Sequence, residues 1–255
     1  MADASAPFPH PVRRVVSLVP SLTEAVAETR RELLVGATDW CERPRDLDVT
    51  RVRGTKNPDL RAVIELAPDL VLANEEENRE PDLAALREAG LRVWVTEVRT
   101  LPQAFEALDL MLTRGLGLDR PRWLDEAEAA WRRPPALAAE VTAVVPIWRR
   151  PWMVLGRDTF AGDLLRRLGV RNRYADHPDR YPRVPLEELN RPGSADLVVL
   201  PDEPYAFHRE DGPEAFPGLP AALVSGRHLT WYGPSLVRAP QALGEALAAP
   251  VPAGG

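Results

Sequence analysis

The stretch that decides the fold runs Ile64-Glu65-Leu66-Ala67-Pro68-Asp69-Leu70-Val71-Leu72-Ala73-Asn74-Glu75-Glu76, and a later stretch repeats its pattern. The later copy runs Glu188-Leu189-Asn190 and then Ser194-Ala195-Asp196-Leu197-Val198-Val199-Leu200-Pro201-Asp202-Glu203. Each copy is typical of a helix end, a turn carrying Asp, a buried apolar strand and an acidic loop. Two similar halves predict a shared crevice, which favours a two-lobed binder of a small ligand over a single catalytic domain.

Strands and helices alternate around both copies. Before the first copy, residues 14–19 form a short apolar, β-branched run that predicts a strand. After it, residues 80–89 are helical in pattern, end at Gly90, and lead into an apolar run over 91–96. This alternation predicts βαβ units, and so the α/β class with a parallel sheet in each of two Rossmann-like lobes.

The predicted organisation has three parts: an N-terminal α/β lobe over residues 13–98, a connecting helical segment over 99–135 and a C-terminal α/β lobe over 136–250. In the connecting segment, Leu, Phe, Met and Trp recur at three- and four-residue steps over 101–114 and 121–132. A helical connection is stiff, so we expect restricted hinge motion.

Composition excludes several classes of function. The net charge of −6 supplies no positive field to recruit nucleic acid or an anionic membrane. The single cysteine, Cys41, cannot form an internal disulfide or a usual structural zinc site, and it is predicted to be a small buried apolar residue. The four histidines show no HxxxH or HxH spacing. We therefore expect no metal site and no cofactor.

The first eleven residues lack the charged and apolar segments of a secretory signal. No apolar run approaches the length of a membrane span. On this basis the chain, as written, is predicted to stay in the cytoplasm.

In open parallel sheets, ligands bind beyond the carboxyl ends of the strands. That rule, with one nearby loop, selects ten candidate ligand-binding residues: Ser21, Asp39, Trp40, Asn74, Arg157, Asp158, Tyr181, Tyr205, Trp231 and Tyr232. The aromatic members suit a flat or ring-shaped ligand, and the alternative is that they cap the sheet ends as part of the core.

Local motifs refine some of these roles. Ser21 with Glu24 fits a capping box and no GxSxG elbow surrounds it, so Ser21 is predicted to cap a helix and not to act as a nucleophile. Asp158 or Thr159 is predicted to cap a second helix, which leaves Arg157 to pair with a ligand carboxylate or phosphate.

Two acidic loops, 75–77 and 202–203, occupy equivalent positions in the two copies. Each is interpreted either as a cation or docking site or as a solvated surface turn.

A wider set of stretches carries a family resemblance: Val16-Ser17-Leu18-Val19-Pro20-Ser21 with Thr23-Glu24, Val35-Gly36-Ala37-Thr38-Asp39-Trp40-Cys41 with Pro44, Gly54-Thr55-Lys56-Asn57-Pro58, Leu66-Ala67-Pro68-Asp69-Leu70-Val71-Leu72 and Gly90-Leu91-Arg92-Val93. Together they resemble the helical-backbone substrate-binding proteins of vitamin B12, siderophore and haem ABC importers, especially the cobalamin-binding branch. The resemblance covers nearly the whole chain and is stronger in the first lobe than in the second.

The resemblance implies two α/β lobes joined by one long backbone helix, with a ligand cleft between them and little closure on binding. It also implies that a surface acid on each lobe docks on arginines of a membrane permease, with Glu76 or Glu80 and Glu203 as the candidates. Such receptors work in the periplasm or anchored outside the cytoplasmic membrane. The sequence as written shows neither a signal peptide nor a lipid anchor, so either its start is misplaced or it is a cytoplasmic relative.

We therefore expect a monomeric, non-enzymatic protein that binds a corrinoid, siderophore or haem-like metal chelate, with an ABC permease as the implied partner. One alternative is an enzyme that uses Asp39, Glu76, Asp158 or Glu203 as acid or base. Another is a cytoplasmic interaction protein whose acidic loops bind a partner.

Overall fold

The protein is described here by a computed structural model that covers residues 11–253. Within these residues the chain divides into two compact units: unit 1 is formed by 11–97, 103–125 and 232–234, and unit 2 by 98–102, 126–231 and 235–253. The predicted boundaries, 13–98 and 136–250 for the lobes and 99–135 for the connecting segment, stay a prediction. Residues 1–10, on which the cytoplasmic prediction depends, lie outside the described residues.

Unit 1 is built on a five-stranded parallel sheet. The strands of this part of the chain are β1 (Val15–Ser17), β2 (Leu34–Ala37), β3 (Thr50–Arg51), β4 (Arg53–Gly54), β5 (Asn57–Pro58), β6 (Leu70–Asn74) and β7 (Val93–Thr96). The sheet has the order β3-β2-β1-β6-β7, and β4 and β5 form a separate antiparallel pair. Every residue of β1 and β6 is buried, as expected for apolar strands covered on both faces.

The helices of the first half are α1 (Pro20–Arg30), α2 (Leu60–Glu65), α3 (Glu80–Glu88), α4 (Leu101–Leu110) and α5 (Arg122–Ala130). The connecting segment therefore holds two helices where the three- and four-residue spacing predicts them. α4 continues into a π-helical turn at Met111–Gly115. Of the helices among residues 11–253, none has the length and apolar character that crossing a membrane requires.

Unit 2 is built on a four-stranded parallel sheet and an antiparallel hairpin. Its strands are β8 (Val141–Val144), β9 (Pro146–Arg149), β10 (Trp152–Val154), β11 (Val170–Asn172), β12 (Leu197–Pro201) and β13 (Ala221–Val224). The sheet has the order β11-β8-β12-β13, and β9 pairs with β10. The remaining helices are α6 (Phe160–Arg167), α7 (Leu186–Leu189), α8 (Gly226–Thr230) and α9 (Ala239–Ala248).

The two sheets share one topology. The order β2-β1-β6-β7 in unit 1 corresponds to β11-β8-β12-β13 in unit 2. In unit 1, β1 lies between β2 and β6, and in unit 2, β8 lies between β11 and β12. The connections therefore change direction at β1/β6 and at β8/β12. The predicted parallel sheets of the α/β class are confirmed, and each sheet has the switch point beside which ligands bind in such folds.

The repeated Asp performs the same task in both units. The Asp69 carboxylate accepts hydrogen bonds from the backbone N–H groups of Arg13 and Arg14, at 2.8 and 2.9 Å, just before β1. The Asp196 carboxylate accepts one from the N–H of Thr142 at 2.8 Å, in β8. Each Asp therefore fixes the start of its unit's central strand to the strand that follows the Asp, which explains why the motif recurs.

One local prediction is wrong. α1 begins at Pro20 after Val19, and no side chain caps it, so Ser21 lies inside the first turn and is not the cap. Proline suits the first helical position because it has no N–H to leave unsatisfied, and here it moves the start one residue upstream. The hydroxyl of Thr23 donates to the carbonyl of Val19 at 2.9 Å.

Candidate functional site

The most exposed aromatic candidate follows β2 in unit 1. Trp40 is 63% exposed, more than any other large apolar residue among 11–253, and Asp39 beside it is also exposed. The N–H of Asp39 donates to the carbonyl of Arg53 at 2.8 Å, which ties this turn to β4. An indole presented to solvent at the carboxyl end of a parallel strand offers a flat apolar surface to a ring-shaped ligand.

Asn74, the last residue of β6, is buried and fully occupied by hydrogen bonds. Its amide nitrogen donates to the hydroxyl of Tyr232 at 2.6 Å and to the carbonyl of Thr96 at 3.2 Å. Its amide oxygen accepts the N–H groups of Glu76 and Glu77, at 2.8 and 3.1 Å. Asn74 therefore shapes the acidic loop and positions Tyr232, and it has no polar atom left for a ligand.

Tyr232 lies in unit 1 although it follows the last strand of unit 2 in sequence. Its ring is buried, and its hydroxyl is 2.8 Å from the hydroxyl of Thr96. Burial raises the pKa of Tyr232 well above its usual range, against the opposing effect of the hydrogen bonds from Thr96 and Asn74. Tyr232 is thus a neutral structural group at the end of β6 and β7.

Ser21 is also buried, with 4% of its surface exposed. A Cβ placed on Gly233 would lie 3.1 Å from the carbonyl oxygen of Ser21, so the 232–234 segment approaches the first turn of α1 closely. This close packing leaves Ser21 little surface for a ligand.

A lysine from another part of unit 1 contacts the acidic loop that follows β6. The ammonium group of Lys56 donates a hydrogen bond to the carbonyl oxygen of Glu76. The pKa of Glu77 is raised, chiefly because surrounding protein atoms displace water from its carboxylate although the residue is still reached by solvent, and Lys56 opposes that rise. Glu80, exposed at the start of α3, pairs with Arg87 at 2.7 Å.

In unit 2, the loop after β10 packs against the segment that carries Tyr181. Gly156 donates its N–H to the carbonyl of Arg180 at 2.8 Å, and a Cβ at this position would lie 2.2 Å from the carbonyl oxygen of Asp179. Arg157 and Asp158 follow, both exposed, and their side chains are 3.6 Å apart. The Arg180 guanidinium lies 5.8 Å from the ring of Tyr181.

Thr159, and not Asp158, caps α6. Its side chain accepts the N–H of Gly162 at 3.3 Å. Asp158 instead takes a left-handed conformation with φ of 49°, and its carbonyl accepts a hydrogen bond from Arg180 at 3.1 Å. This arrangement leaves the side chain of Arg157 exposed at the turn, 3.6 Å from the carboxylate of Asp158.

Glu203 and Trp231 form a pair. The indole N–H of Trp231 donates to the Glu203 carboxylate at 3.0 Å, and the guanidinium of Arg227 lies 6.0 Å from the indole ring. A Cβ on Gly226 would lie 2.6 Å from Glu203, so α8 packs directly against this acid. Glu203 is therefore half-buried and held in place.

Tyr205 belongs to an aromatic cluster beneath the hairpin. Its ring centroid is 5.7 Å from that of Trp148 and 4.6 Å from that of Phe207. Its hydroxyl donates to the Asp211 carboxylate at 2.7 Å. This contact favours the core-capping interpretation for Tyr205.

The structure thus joins Asn74 with Tyr232, Arg157 with Asp158, and Glu203 with Trp231. Tyr181 contacts Arg180, and Trp40 is exposed. Sequence reasoning did not single out Thr96, Arg180 or Lys56, which hold these groups. No pattern could reveal them, because each acts on a residue that lies about 20 or more positions away in the sequence. Among residues 11–253, no cluster of three or more His, Cys, Asp or Glu side chains could hold a metal ion.

Known proteins resemble this chain in sequence and in fold. The vitamin B12-binding protein of Vibrio cholerae is 24% identical over 190 residues, which are 71% of this chain and 68% of that protein. The structure of the periplasmic vitamin B12 binding protein of Vibrio cholerae superimposes with a TM-score of 0.73 at 18% identity, over 94% of this chain and 98% of that one. The periplasmic heme-binding protein of Roseiflexus sp. RS-1 also gives 0.73 at 18% identity, over 92% and 99%.

At these identities the two solved structures show a common fold. The family assignment has a different basis, a sequence model described as periplasmic binding protein, which matches residues 15–215. Because that match spans well over half of the chain, this protein is a member of the periplasmic binding protein family.

Proposed function

We propose that this chain is the receptor component of an ABC importer and that its ligand is a corrinoid, with vitamin B12 as the first ligand to test. The observation that carries the proposal is the 24% identity over 190 residues to the vitamin B12-binding protein of Vibrio cholerae. The cytoplasmic location predicted from the first residues gains no support from a family described as periplasmic.

Trp40 is the proposed stacking surface. Its side chain is exposed, and it follows the carboxyl end of β2, which is the side of a parallel sheet where ligands bind. Arg157 and Tyr181 are proposed as further ligand contacts, because a corrinoid presents amide and phosphate groups to a guanidinium as well as a flat ring system to an aromatic side chain. Asn74 and Tyr232 are proposed as supporting residues.

The solvent exposure of two candidate carboxylates favours a binding function over the enzyme alternative. Asp39 and Asp158, two of the four carboxylates proposed as acid or base in that alternative, are open to solvent. Acid–base chemistry usually depends on carboxylates held in a water-excluding site.

Glu76, Glu80 and Glu203 are the proposed docking acids for a permease. Glu80 is the most accessible of the three, with 72% of its side chain exposed beside Arg87. The charge-reversing substitution Glu80→Lys should weaken binding of the chain to a detergent-solubilised permease and leave its affinity for the ligand unchanged.

Titration with cyanocobalamin tests the ligand. Tryptophan fluorescence and calorimetry should give saturable binding, and Trp40→Ala should weaken it about tenfold because a stacked aromatic anchor is lost. Trp148→Ala is the matched control, since Trp148 is another exposed indole, at 42%. Absence of saturable cyanocobalamin binding up to the millimolar range would overturn the corrinoid proposal.

Haem is the second candidate, because the protein from Roseiflexus sp. RS-1 that shares this fold is a periplasmic heme-binding protein. Hemin titrated under the same conditions separates the two ligands. Saturable hemin binding without cyanocobalamin binding would assign the chain to haem.

A further inference from the structure

A groove in unit 2 lies beside the turn of the β9–β10 hairpin, and none of the residues that line it belongs to the ten candidates. Its volume is about 550 Å³, within the range of small-molecule sites. Its apolar wall consists of Pro151, Trp152, Val184 and Pro185. The extended segment that carries Val184 pairs with β10, since the N–H of Val184 donates to the carbonyl of Trp152 at 3.2 Å.

The apolar wall is rigid. The Trp152 ring stacks on Phe207 with a centroid distance of 6.1 Å and an interplanar angle of 4°, and it meets the edge of Phe216 at 5.4 Å. Phe216 is completely buried. The groove is therefore formed without a ligand, and binding requires little ordering of side chains.

Three arginines line the same groove, and one of them is already neutralised. Arg149 pairs with the carboxylates of Asp211 and Glu214. Its guanidinium also lies over the ring of Trp152, 5.5 Å from the centroid. Arg149 therefore belongs to the fixed structure of the groove, and its positive charge is already matched by the two carboxylates.

The other two arginines, Arg150 and Arg183, are exposed and line the groove. Neither forms an ion pair with any residue in the part of the chain that the structure describes, 11–253. Two unneutralised guanidinium groups beside a rigid apolar wall match a ligand with an anionic group and an apolar body. We propose that this groove binds a small organic anion in which a carboxylate, sulfonate or phosphate is attached to an aromatic ring.

This site goes beyond the proposed function, because it does not depend on the identity of the imported ligand. The apolar wall supplies contact area, and the two guanidinium groups supply paired donors whose planar geometry fits carboxylate and phosphate oxygens. An uncharged aromatic molecule would leave both cations without a partner and so bind more weakly.

The probe is 8-anilinonaphthalene-1-sulfonate, whose fluorescence rises in an apolar site, titrated into the full chain. We expect saturable binding that weakens at least tenfold in the double variant Arg150→Gln/Arg183→Gln. Arg132→Gln/Arg133→Gln is the matched control, because it removes two exposed, adjacent arginines of unit 2 outside the groove, and its affinity should stay within twofold of wild type. Arg150→Lys/Arg183→Lys keeps the charge but removes the planar paired donors, so its affinity should fall between those of wild type and Arg150→Gln/Arg183→Gln.

Competition identifies the anion. 1-Naphthoate or 1-naphthyl phosphate should displace the probe, and the stronger competitor names the preferred group, whereas uncharged 1-naphthol should not displace it. The proposal is overturned if the wild-type chain shows no saturable binding, if both glutamine double variants bind alike, or if 1-naphthol competes as well as the anions. Cyanocobalamin titrated into the same variants reports on the proposed function separately.

Discussion

Replacement of Asp163 by Asn should destabilise the protein in a pH-dependent way. Asp163 lies in α6 with 6% of its side chain exposed, and its carboxylate accepts the N–H of Leu101 at 2.9 Å. It also accepts hydrogen bonds from Arg166 at 2.7 Å and Arg167 at 2.8 Å. Burial alone would raise the pKa of Asp163, but the Leu101 amide and the two guanidinium groups outweigh it and lower that pKa.

The size of the stability loss depends on which of these hydrogen bonds are shielded from water. Asn keeps an oxygen for Leu101 but loses the charge and turns an N–H group toward the arginines. The Arg166 side chain is 72% exposed, so its pairing contributes little, whereas Arg167 is only 31% exposed. The expected loss is about 2 kcal/mol, which corresponds to a fall in melting temperature of roughly 4–8 °C.

The pH dependence gives the reasoning a second test. A carboxylate whose folded pKa is lowered stabilises the fold above its unfolded pKa of about 3.9, and that stability is lost as pH falls through the folded pKa. Wild type and Asp163→Asn should therefore differ most from about pH 5 to 8 and converge under acid. Asp176→Asn, which changes a side chain that is 95% exposed, is the control.

Melting followed by circular dichroism across this pH range supplies the measurement. A difference that persists unchanged into strong acid, or an equal loss in Asp176→Asn, would refute the role assigned to Asp163.

Three further outcomes are expected. Tyr232→Phe removes both hydrogen bonds of a buried hydroxyl and should cost about 1–2 kcal/mol in denaturant unfolding; an unchanged midpoint would contradict this. Gly156→Ala places a Cβ 2.2 Å from the carbonyl of Asp179 and should lower the melting temperature by several degrees, whereas Gly218→Ala, with open space around it, should not. Cys41 is completely buried and burial raises the pKa of its thiol, so Ellman's reagent should react with it only after unfolding; rapid reaction with the native protein would disprove that burial.

Much of the fold follows from local patterns. The apolar runs of β6 and β12 are recognisable because strands buried on both faces need continuous apolar sequence. Gly90 and Gly169 both take φ of +83°, as expected for glycines that end helices. β9 was not predicted, because its sequence Pro146-Ile147-Trp148-Arg149 shows no clear alternation of apolar and polar residues. It becomes a strand by pairing with β10 across the hairpin turn.

The sequence predicts the candidate site less completely than it predicts the fold. The loop rule selects Trp40 and Arg157, and the structure leaves both exposed. The same rule selects Asn74 and Tyr232, yet their polar atoms satisfy one another across 158 positions of sequence. A loop residue that faces a ligand and one that supports the loop have the same sequence signature, because the difference depends on a distant partner.

The sequence by itself determined the alternation of strands and helices, the two copies of the Asp-strand-acidic-loop unit and hence the parallel sheets. These depend on local forces: apolar periodicity, turn chemistry and the need of each strand for a crossover. Only the tertiary structure decided that Asp69 and Asp196 fasten the central strands, that Tyr232 belongs to unit 1, and that Arg149 is neutralised while Arg150 and Arg183 are not. Those outcomes depend on which polar groups meet after the chain has folded, since burial makes each group's hydrogen-bond partner, and not its neighbours in sequence, decide its role.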